Sequence, residues 1–207
     1  MPKTHTELNY FQDNKFEVQK RAQVLGLITA DTFCFAVAGT HGKTTTSSIL
    51  GHLLKECNAN MTAFLGGITE NYHSNLILNG SDISVVEADE FDRSFLQLFP
   101  DVACITSMDA DHLDIYGKAE ELEKSFKAFS DRLSDGSKLF VKSGLPLAGV
   151  TYGYEDNSDY TIKDVKVVKK IDGLKIKVKA DYSKLGPDFG DKSPKIIAKL
   201  TIDSPES

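Results

Sequence analysis

The pattern of hydrophobic and polar residues over the first 150 positions predicts short buried strands that alternate with helices. A continuous apolar run is typical of a strand that is covered on both faces. Such runs occur at residues 33–38, 61–65, 83–86 and 102–105, and a last run at 139–141 closes the series. Strands that alternate with helices predict an α/β fold with a mainly parallel sheet flanked by helices.

Three segments have the apolar spacing of amphipathic helices. The first covers residues 16–28 and leads into the first strand, the second follows that strand, and the third covers residues 119–133. Their apolar positions are Val18, Ala22, Leu25 and Ile28, then Ile49, Leu50, Leu53 and Leu54, then Leu122, Phe126, Phe129 and Leu133. We expect these side chains to cover the two faces of the sheet.

The residues after 158 follow a different pattern. Lysine alternates with apolar residues at 165–167 and 174–179, which is typical of strands with one solvent-exposed face. Asp172-Gly173 between the two runs is a hairpin signal. We therefore expect residues 159–207 to form a smaller antiparallel β segment at the C-terminal end. Its lysines are expected to protect an edge strand rather than to form a basic binding patch.

Composition excludes several classes of function. The 207 residues include 24 Lys and Arg against 30 Asp and Glu, which argues against nucleic acid as the main partner. The hydrophobic fraction of 41% is ordinary for a packed domain. No apolar run approaches the roughly 20 residues that span a bilayer, so no membrane role is expected. Cys34, Cys57 and Cys104 cannot all pair, and we expect free thiols in a cytoplasmic protein.

The segment after the first strand has the composition of a phosphate-binding loop. It is Gly-Thr-His-Gly-Lys-Thr-Thr-Thr at residues 39–46, a shortened loop because Val37 stands where the longer motif has glycine. Glycines allow the backbone to approach an anion, and N–H groups at a helix N-terminus form a positive cradle. The predicted nucleotide-binding residues are Gly39, Thr40, His41, Gly42, Lys43, Thr44 and Thr45.

Within that loop, two side chains have distinct expected roles. Lys43 can reach the β- and γ-phosphates of a nucleotide, and the hydroxyl of Thr44 can bind Mg²⁺.

Acidic residues follow the strand at 83–86. Glu87, Asp89, Glu90 and Asp92 lie at its carboxyl end, which is where ligands bind in open α/β sheets. Glu87 is the first of them and is best placed to hold Mg²⁺ against phosphate oxygens. A solvated acidic loop is the alternative, and the nearby phosphate loop favours the metal site.

A third polar segment, Asp-Ala-Asp-His-Leu-Asp-Ile-Tyr-Gly at residues 109–117, follows the strand at 102–105. Asp and His together can coordinate a metal, position a nucleophile or accept a proton. Carboxylates flank His112, and its strand is expected to end at the same edge as the first two. We therefore place His112 in the site, whereas His5, His52 and His73 are expected to be structural.

Together, the three segments resemble the central, ATP-binding domain of the Mur ligases, the amide-forming enzymes of peptidoglycan assembly. The resemblance depends on residues 39–46, 87–96 and 111–117 and extends from about residue 6 to residue 152. His41 and the string at residues 89–95 are most similar to the branch that joins L-alanine to UDP-N-acetylmuramate.

This resemblance implies a reaction and roles for the residues. ATP would phosphorylate the lactoyl carboxylate of UDP-N-acetylmuramate, and the amine of L-alanine would attack the acyl phosphate. The implied catalytic residues are Lys43 at the β- and γ-phosphates, Glu87, which with Thr44 would hold one Mg²⁺, and His112, which would hold a second. Gly66-Gly67 would shape the sugar-nucleotide side.

The resemblance also implies a domain organisation. Residues 1–30 resemble the connection from an N-terminal UDP-binding domain, and residues 31–207 resemble a central domain without its C-terminal end. The family's C-terminal domain, which supplies the amino-acid site, is not expected in this chain. We expect the chain alone to bind ATP weakly at best and not to ligate.

Several alternatives remain open. The branch that recycles murein tripeptide shares the loop and the Glu-Ala-Asp-Glu string, but its third motif usually differs from residues 111–117. The folylpolyglutamate-synthase branch usually lacks His41 and the string at 89–95. A kinase or GTPase-like enzyme would need its own acceptor site, and the Asn-Lys-x-Asp guanine motif does not occur. A phosphate-loop module without enzymatic activity is the last alternative.

Overall fold

The computed structural model describes residues 5–109, 119–133, 138–154, 157–170, 173–181 and 199–202. The helices are α1 (Thr6–Asp13), α2 (Arg21–Ala30), α3 (Lys43–Glu56), a 3-10 helix (Phe91–Gln97) and α4 (Ala119–Ser130). The strands are β1 (Phe33–Ala38), β2 (Met61–Thr69), β3 (Ser74–Leu78), β4 (Ile83–Ala88), β5 (Val102–Ile105), β6 (Leu139–Lys142), β7 (Val150–Tyr154), β8 (Tyr160–Lys170), β9 (Gly173–Asp181) and β10 (Lys199–Ile202).

The strands of the described residues form one sheet in the order β10-β9-β8-β7-β6-β5-β1-β4-β2-β3. Pairing is parallel from β2 through β4, β1, β5, β6 and β7 to β8. The pair β2–β3 and the pairs β8–β9 and β9–β10 are antiparallel. The predicted mainly parallel sheet and its antiparallel C-terminal end are thereby confirmed. The hairpin is also confirmed, because Lys170 pairs with Gly173.

Helices cover both faces of the sheet, as predicted. Successive side chains of a strand point to opposite faces, and β1 shows this directly. On one face Phe35 packs with Leu50 of α3 against the cluster Met61, Ala63, Leu65, Ile77 and Val85. On the other face Ala36 lies in a larger cluster with α2 and α4, whose buried members include Leu25, Leu122, Phe126 and Phe129.

Two element predictions were wrong in their extent. The helix predicted over residues 16–28 begins only at Arg21, and Phe16 and Val18 before it are exposed. At its start, the side chain of Gln23 accepts from the N–H of the N-cap residue Lys20 at 2.7 Å. The strand series does not close at residue 141, because β7 continues the parallel sheet and pairs with both β6 and β8.

The position of β1 brings the carboxyl ends of β1, β4 and β5, which the three predicted polar segments follow, to one edge of the sheet. Residues of β1 pair in parallel with β4 on one side and β5 on the other, so that Ala38 lies opposite Ala88 and Ile105. The chain therefore leaves all three strands at the same end of the sheet. This is the edge at which open α/β sheets bind ligands.

Candidate phosphate-binding site

The loop between β1 and α3 depends on two glycines with positive φ. Gly39 has φ 135° and Gly42 has φ 83°, a region that favours glycine. A Cβ at Gly39 would also collide with the hydroxyl of Thr106 and lie 2.8 Å from the backbone nitrogen of Ser107. Gly42 is the N-cap of α3, so Lys43 and Thr44 open the helix. The backbone N–H groups of that first helical turn are the ones that a bound anion can use.

Thr106 and Ser107, which follow β5, hold this loop in place through hydrogen bonds. Neither residue is among those predicted from the sequence. The N–H of Thr106 donates to the carbonyl of Ala38 at 3.0 Å. The hydroxyl of Ser107 accepts from the N–H of His41 at 2.7 Å, and the Ser107 carbonyl accepts from the N–H of Thr40 at 3.2 Å. Two N–H groups of the predicted cradle are thus bonded within the protein. The feature of the sequence that could have indicated this contact is the pair of hydroxyl residues directly after a buried strand.

Lys43 lies in the loop as part of a buried ion pair. Its Nζ donates to the carbonyl of Gly39 at 2.7 Å and to Oε2 of Glu90 at 2.8 Å. The Lys43 side chain is 13% exposed and that of Glu90 is 1% exposed. The sequence placed Glu90 in the acidic segment without assigning it a partner, and the structure brings it to the loop lysine.

Glu87 lies against Thr44, as the predicted metal site requires. The hydroxyl of Thr44 donates to Oε1 of Glu87 at 3.0 Å, and the N–H of Gly66 donates to Oε2 at 2.8 Å. A Cβ at Gly66 would lie 2.6 Å from Cδ of Glu87, so this carboxylate needs glycine opposite it. Hydroxyl and carboxylate oxygens are the hard ligands that Mg²⁺ prefers, and the pair fits that ion.

A strained turn fixes the acidic segment beyond Glu87. Asp92 and Arg93 have φ values of 52° and 54°, which are unusual for residues other than glycine. Phe95 is fully buried and stacks on Phe129 with ring centroids 4.9 Å apart. The N–H of Phe95 donates to the carbonyl of Asp89 at 2.9 Å. Phe95 therefore attaches the turn to the hydrophobic core, whereas Asp92 and Arg93 are exposed.

The third predicted segment is described only in part. Asp109 donates its N–H to the hydroxyl of Thr40 at 3.0 Å, and its carboxylate lies 3.9 Å from Nε2 of His41. His112, like Asp111 and Asp114, lies outside the described residues, so its assignment stays a prediction. Among the described residues, no group of three or more His, Cys, Asp or Glu side chains is arranged to hold a metal ion.

His5 and His52 have local contacts, and the cysteines are unpaired. His5 caps α1 by accepting from the N–H of Leu8 at 3.4 Å, and Nδ1 of His52 lies 2.7 Å from the hydroxyl of Tyr72. The three cysteines are free thiols. Burial raises the pKa of Cys34 to about 12, which keeps this thiol protonated and unreactive. In the part of the chain that the structure describes, no helix is both long and apolar enough to cross a membrane.

These features together define a class. A parallel sheet whose central strand ends in a glycine-rich loop at a helix N-terminus, beside a carboxylate from the next strand, is an α/β domain of the phosphate-loop type. Comparison with known families makes this specific, because residues 37–185 match the model of the Mur ligase middle domain. The chain belongs to the Mur ligase family, and the resemblance seen in the sequence is confirmed.

Individual relatives agree with this family. The chain is 60% identical over 167 residues to the UDP-N-acetylmuramate–L-alanine ligase of Flavobacterium psychrophilum, an alignment that covers 81% of this chain and 37% of that protein. The chain thus spans well under half the length of this curated relative.

Solved structures show the same fold. The UDP-N-acetylmuramate–alanine ligase of Thermotoga maritima matches with a TM-score of 0.73 at 23% identity, over 99% of this chain and 45% of that one. The MurF ligase of Thermotoga maritima in complex with ADP matches with a TM-score of 0.57 at 19% identity, over 79% of this chain and 43% of that one.

Proposed function

We propose that this chain is the ATP-binding domain of a ligase that joins L-alanine to UDP-N-acetylmuramate in peptidoglycan synthesis. The observation that carries the proposal is the 60% identity to a UDP-N-acetylmuramate–L-alanine ligase. Residues 31–207 would form this domain and residues 1–30 its connection to a UDP-binding domain. The similarity to this ligase also supports a cytoplasmic location for the protein.

The phosphate loop would hold the triphosphate of ATP. Lys43 supplies the positive charge, and the first turn of α3 supplies N–H groups from Lys43, Thr44 and Thr45. The MurF ligase that is in complex with ADP shares this fold, which supports an adenine nucleotide as the ligand. Because β1 is central in the sheet, the loop rests on a rigid support.

Thr44 and Glu87 would hold Mg²⁺, and their oxygens already lie 3.0 Å apart. The ion would screen the repulsion between an anionic carboxylate and an anionic phosphate. Gly66 holds Glu87 in place through its N–H and leaves room for the carboxylate. The second Mg²⁺ that the resemblance places at His112 remains a prediction of the sequence.

The proposed chemistry has two steps. A carboxylate oxygen of UDP-N-acetylmuramate attacks the γ-phosphorus of ATP, and ADP leaves with the electron pair of the broken P–O bond. The amine of L-alanine then attacks the carbonyl carbon of the acyl phosphate, the C–O bond to phosphate breaks, and the amine loses a proton. The role of Lys43 is to stabilise charge that develops on the β- and γ-phosphate oxygens.

Replacing Lys43 tests the nucleotide site directly. We expect MgATP to bind this chain weakly and Lys43→Ala to lower the affinity at least about tenfold, since a charge-assisted contact to phosphate is lost. Isothermal titration calorimetry measures both. Lys55→Ala, near the far end of α3, is the matched control and should leave the affinity unchanged.

Two outcomes would contradict the proposal. One is MgGTP binding more tightly than MgATP, which would favour a different phosphate-loop enzyme. The other is a folded chain, with a cooperative circular dichroism melt, that binds neither nucleotide. The substrate assignment is tested in the complete enzyme, where phosphate release should require both UDP-N-acetylmuramate and L-alanine. Release with a tripeptide in place of L-alanine would favour the recycling branch.

A further inference from the structure

Glu90 is a buried carboxylate to which the proposed mechanism gives no role. Its side chain is 1% exposed, and its Oε2 lies 2.8 Å from Nζ of Lys43, the loop's cation. Glu87, three residues earlier, contacts the metal-binding hydroxyl of Thr44 instead. The two acids thus have separate partners: Glu87 faces the magnesium position, and Glu90 faces the lysine.

The conformation of the chain fixes Glu90 at the lysine. Glu90 is the N-cap of the 3-10 helix, and its carbonyl accepts from the N–H of Arg93 at 3.0 Å. Phe95, at the other side of this turn, is fully buried against α4. The turn therefore holds the backbone of Glu90, and its buried carboxylate lies beside Lys43.

This contact changes the charge that the loop offers to a nucleotide. Nζ of Lys43 donates to the loop carbonyl of Gly39 and to Glu90, and the hydroxyl of Thr44, the next residue of α3, donates to Glu87. The positive charge of Lys43 is offset by Glu90, and Glu87 adds a negative charge. Among these described side chains, one positive and two negative charges therefore lie at the start of α3.

We propose that Glu90 makes the phosphate loop selective for metal-complexed nucleotide over free nucleotide. The inference rests on the proposed nucleotide site. Metal-free ATP carries about two more negative charges than MgATP, so a fixed negative charge beside the phosphates disfavours free ATP more. Glu90 is then a specificity-determining residue that acts through its charge, and it is distinct from the residues that hold the ion.

The substitution Glu90→Gln tests this selectivity, since it removes the charge while an amide oxygen can still accept from Lys43. The dissociation constants of ATP with excess EDTA and of MgATP are measured by calorimetry for each variant. We expect Glu90→Gln to lower the ratio of the metal-free to the Mg²⁺ constant by on the order of tenfold. Lys43→Ala should raise the same ratio, because it removes a positive charge.

Two further variants separate this charge effect from general damage. Glu56→Gln removes one carboxylate at the far end of α3, about 20 Å from the loop at 1.5 Å per residue, and should leave the ratio unchanged. If Glu90→Gln does not fold, the comparison is made between Lys43→Gln and the double variant Lys43→Gln/Glu90→Gln. The double variant restores the local charge balance and should have the lower ratio of the two.

The outcomes distinguish this inference from the proposed function. A wild-type chain that is folded but binds neither form of ATP overturns the nucleotide site itself. MgATP binding by wild type with an unchanged or higher ratio in Glu90→Gln overturns the inference alone. A loss of binding that is equal for both forms of ATP would also overturn it, because it would show a role in folding rather than in selectivity.

Discussion

At the scale of single residues, the site depends on glycines, which leave room for neighbouring groups, as much as on charged side chains. Gly66 and Gly67 are neighbours in β2 but face different parts of the site. A Cβ at Gly66 would lie 2.6 Å from Cδ of Glu87, whereas a Cβ at Gly67 would lie 3.4 Å from Cγ2 of Thr44, an ordinary contact. Substitutions at these two glycines therefore test whether nucleotide binding requires Glu87 in its observed position.

We predict that Gly66→Ala weakens MgATP binding on the order of tenfold, because the new methyl group displaces the Glu87 carboxylate from Thr44. Gly67→Ala should change binding by less than about twofold, since its methyl group meets only van der Waals contact. Calorimetry with MgATP measures both. Equal losses in the two variants would show that the Glu87 position does not matter for binding.

At the scale of secondary-structure elements, the 3-10 helix is the element under strain. Asp92 and Arg93 have left-handed backbone conformations in succession, and each contributes an exposed ion pair, with Lys20 at 3.3 Å and with Glu121 at 3.5 Å. Exposed pairs contribute little, so these contacts do not offset the strain. The burial of Phe95 and the contact of Glu90 with Lys43 hold the turn in place.

Arg93→Gly and Arg93→Ala should differ in stability, although both remove the contact with Glu121. Glycine adopts a positive φ without the Cβ penalty, so we expect the glycine variant to be more stable than the alanine variant by about 1 kcal/mol. Urea unfolding at equilibrium measures the two free energies. Alanine proving equal or better would mean that the backbone at Arg93 is not strained.

The sequence predicted the elements that are buried on both sides and missed those that depend on distant partners. Continuous apolar runs identified β1 and β4 because residues of both strands lie in the clusters on both faces of the sheet. α1 has no buried residue and therefore gives no hydrophobic signal. β3 has only the short apolar run Leu76-Ile77-Leu78, of which Ile77 is buried, and it is an edge strand that is defined by its pairing with β2.

The same division applies to the site. The location of Lys43, Thr44 and Glu87 at one edge of the sheet could be predicted because the loop motif and the strand end are local in sequence. The hydrogen bond between His41 and Ser107 joins residues 66 positions apart, and the ion pair of Lys43 with Glu90 joins residues 47 positions apart. Such contacts follow from strand order, which hydrophobic periodicity does not specify.

At the scale of the whole molecule, the three strands that carry the site also carry the core. β1 lies between β4 and β5, and its residues contribute to the clusters on both faces of the sheet. The loop, the proposed metal-binding acid and the hydroxyl residues that hold the loop in place are therefore attached to the most buried part of the protein. Ligand binding at this edge should therefore stabilise the strands of the sheet as well as the loop.

We predict that MgATP stabilises the sheet as a unit. At a ligand concentration of about ten times the dissociation constant, the gain is roughly 1.4 kcal/mol, or about 3–6 °C in the midpoint of thermal unfolding. Hydrogen exchange should slow in β1, β4 and β5 together with residues 39–46, because opening of those strands breaks the site. In Lys43→Ala, both effects should be largely lost at the same nucleotide concentration. Protection confined to residues 39–46, with no change in the strands, would show instead that the loop moves independently of the sheet that carries it.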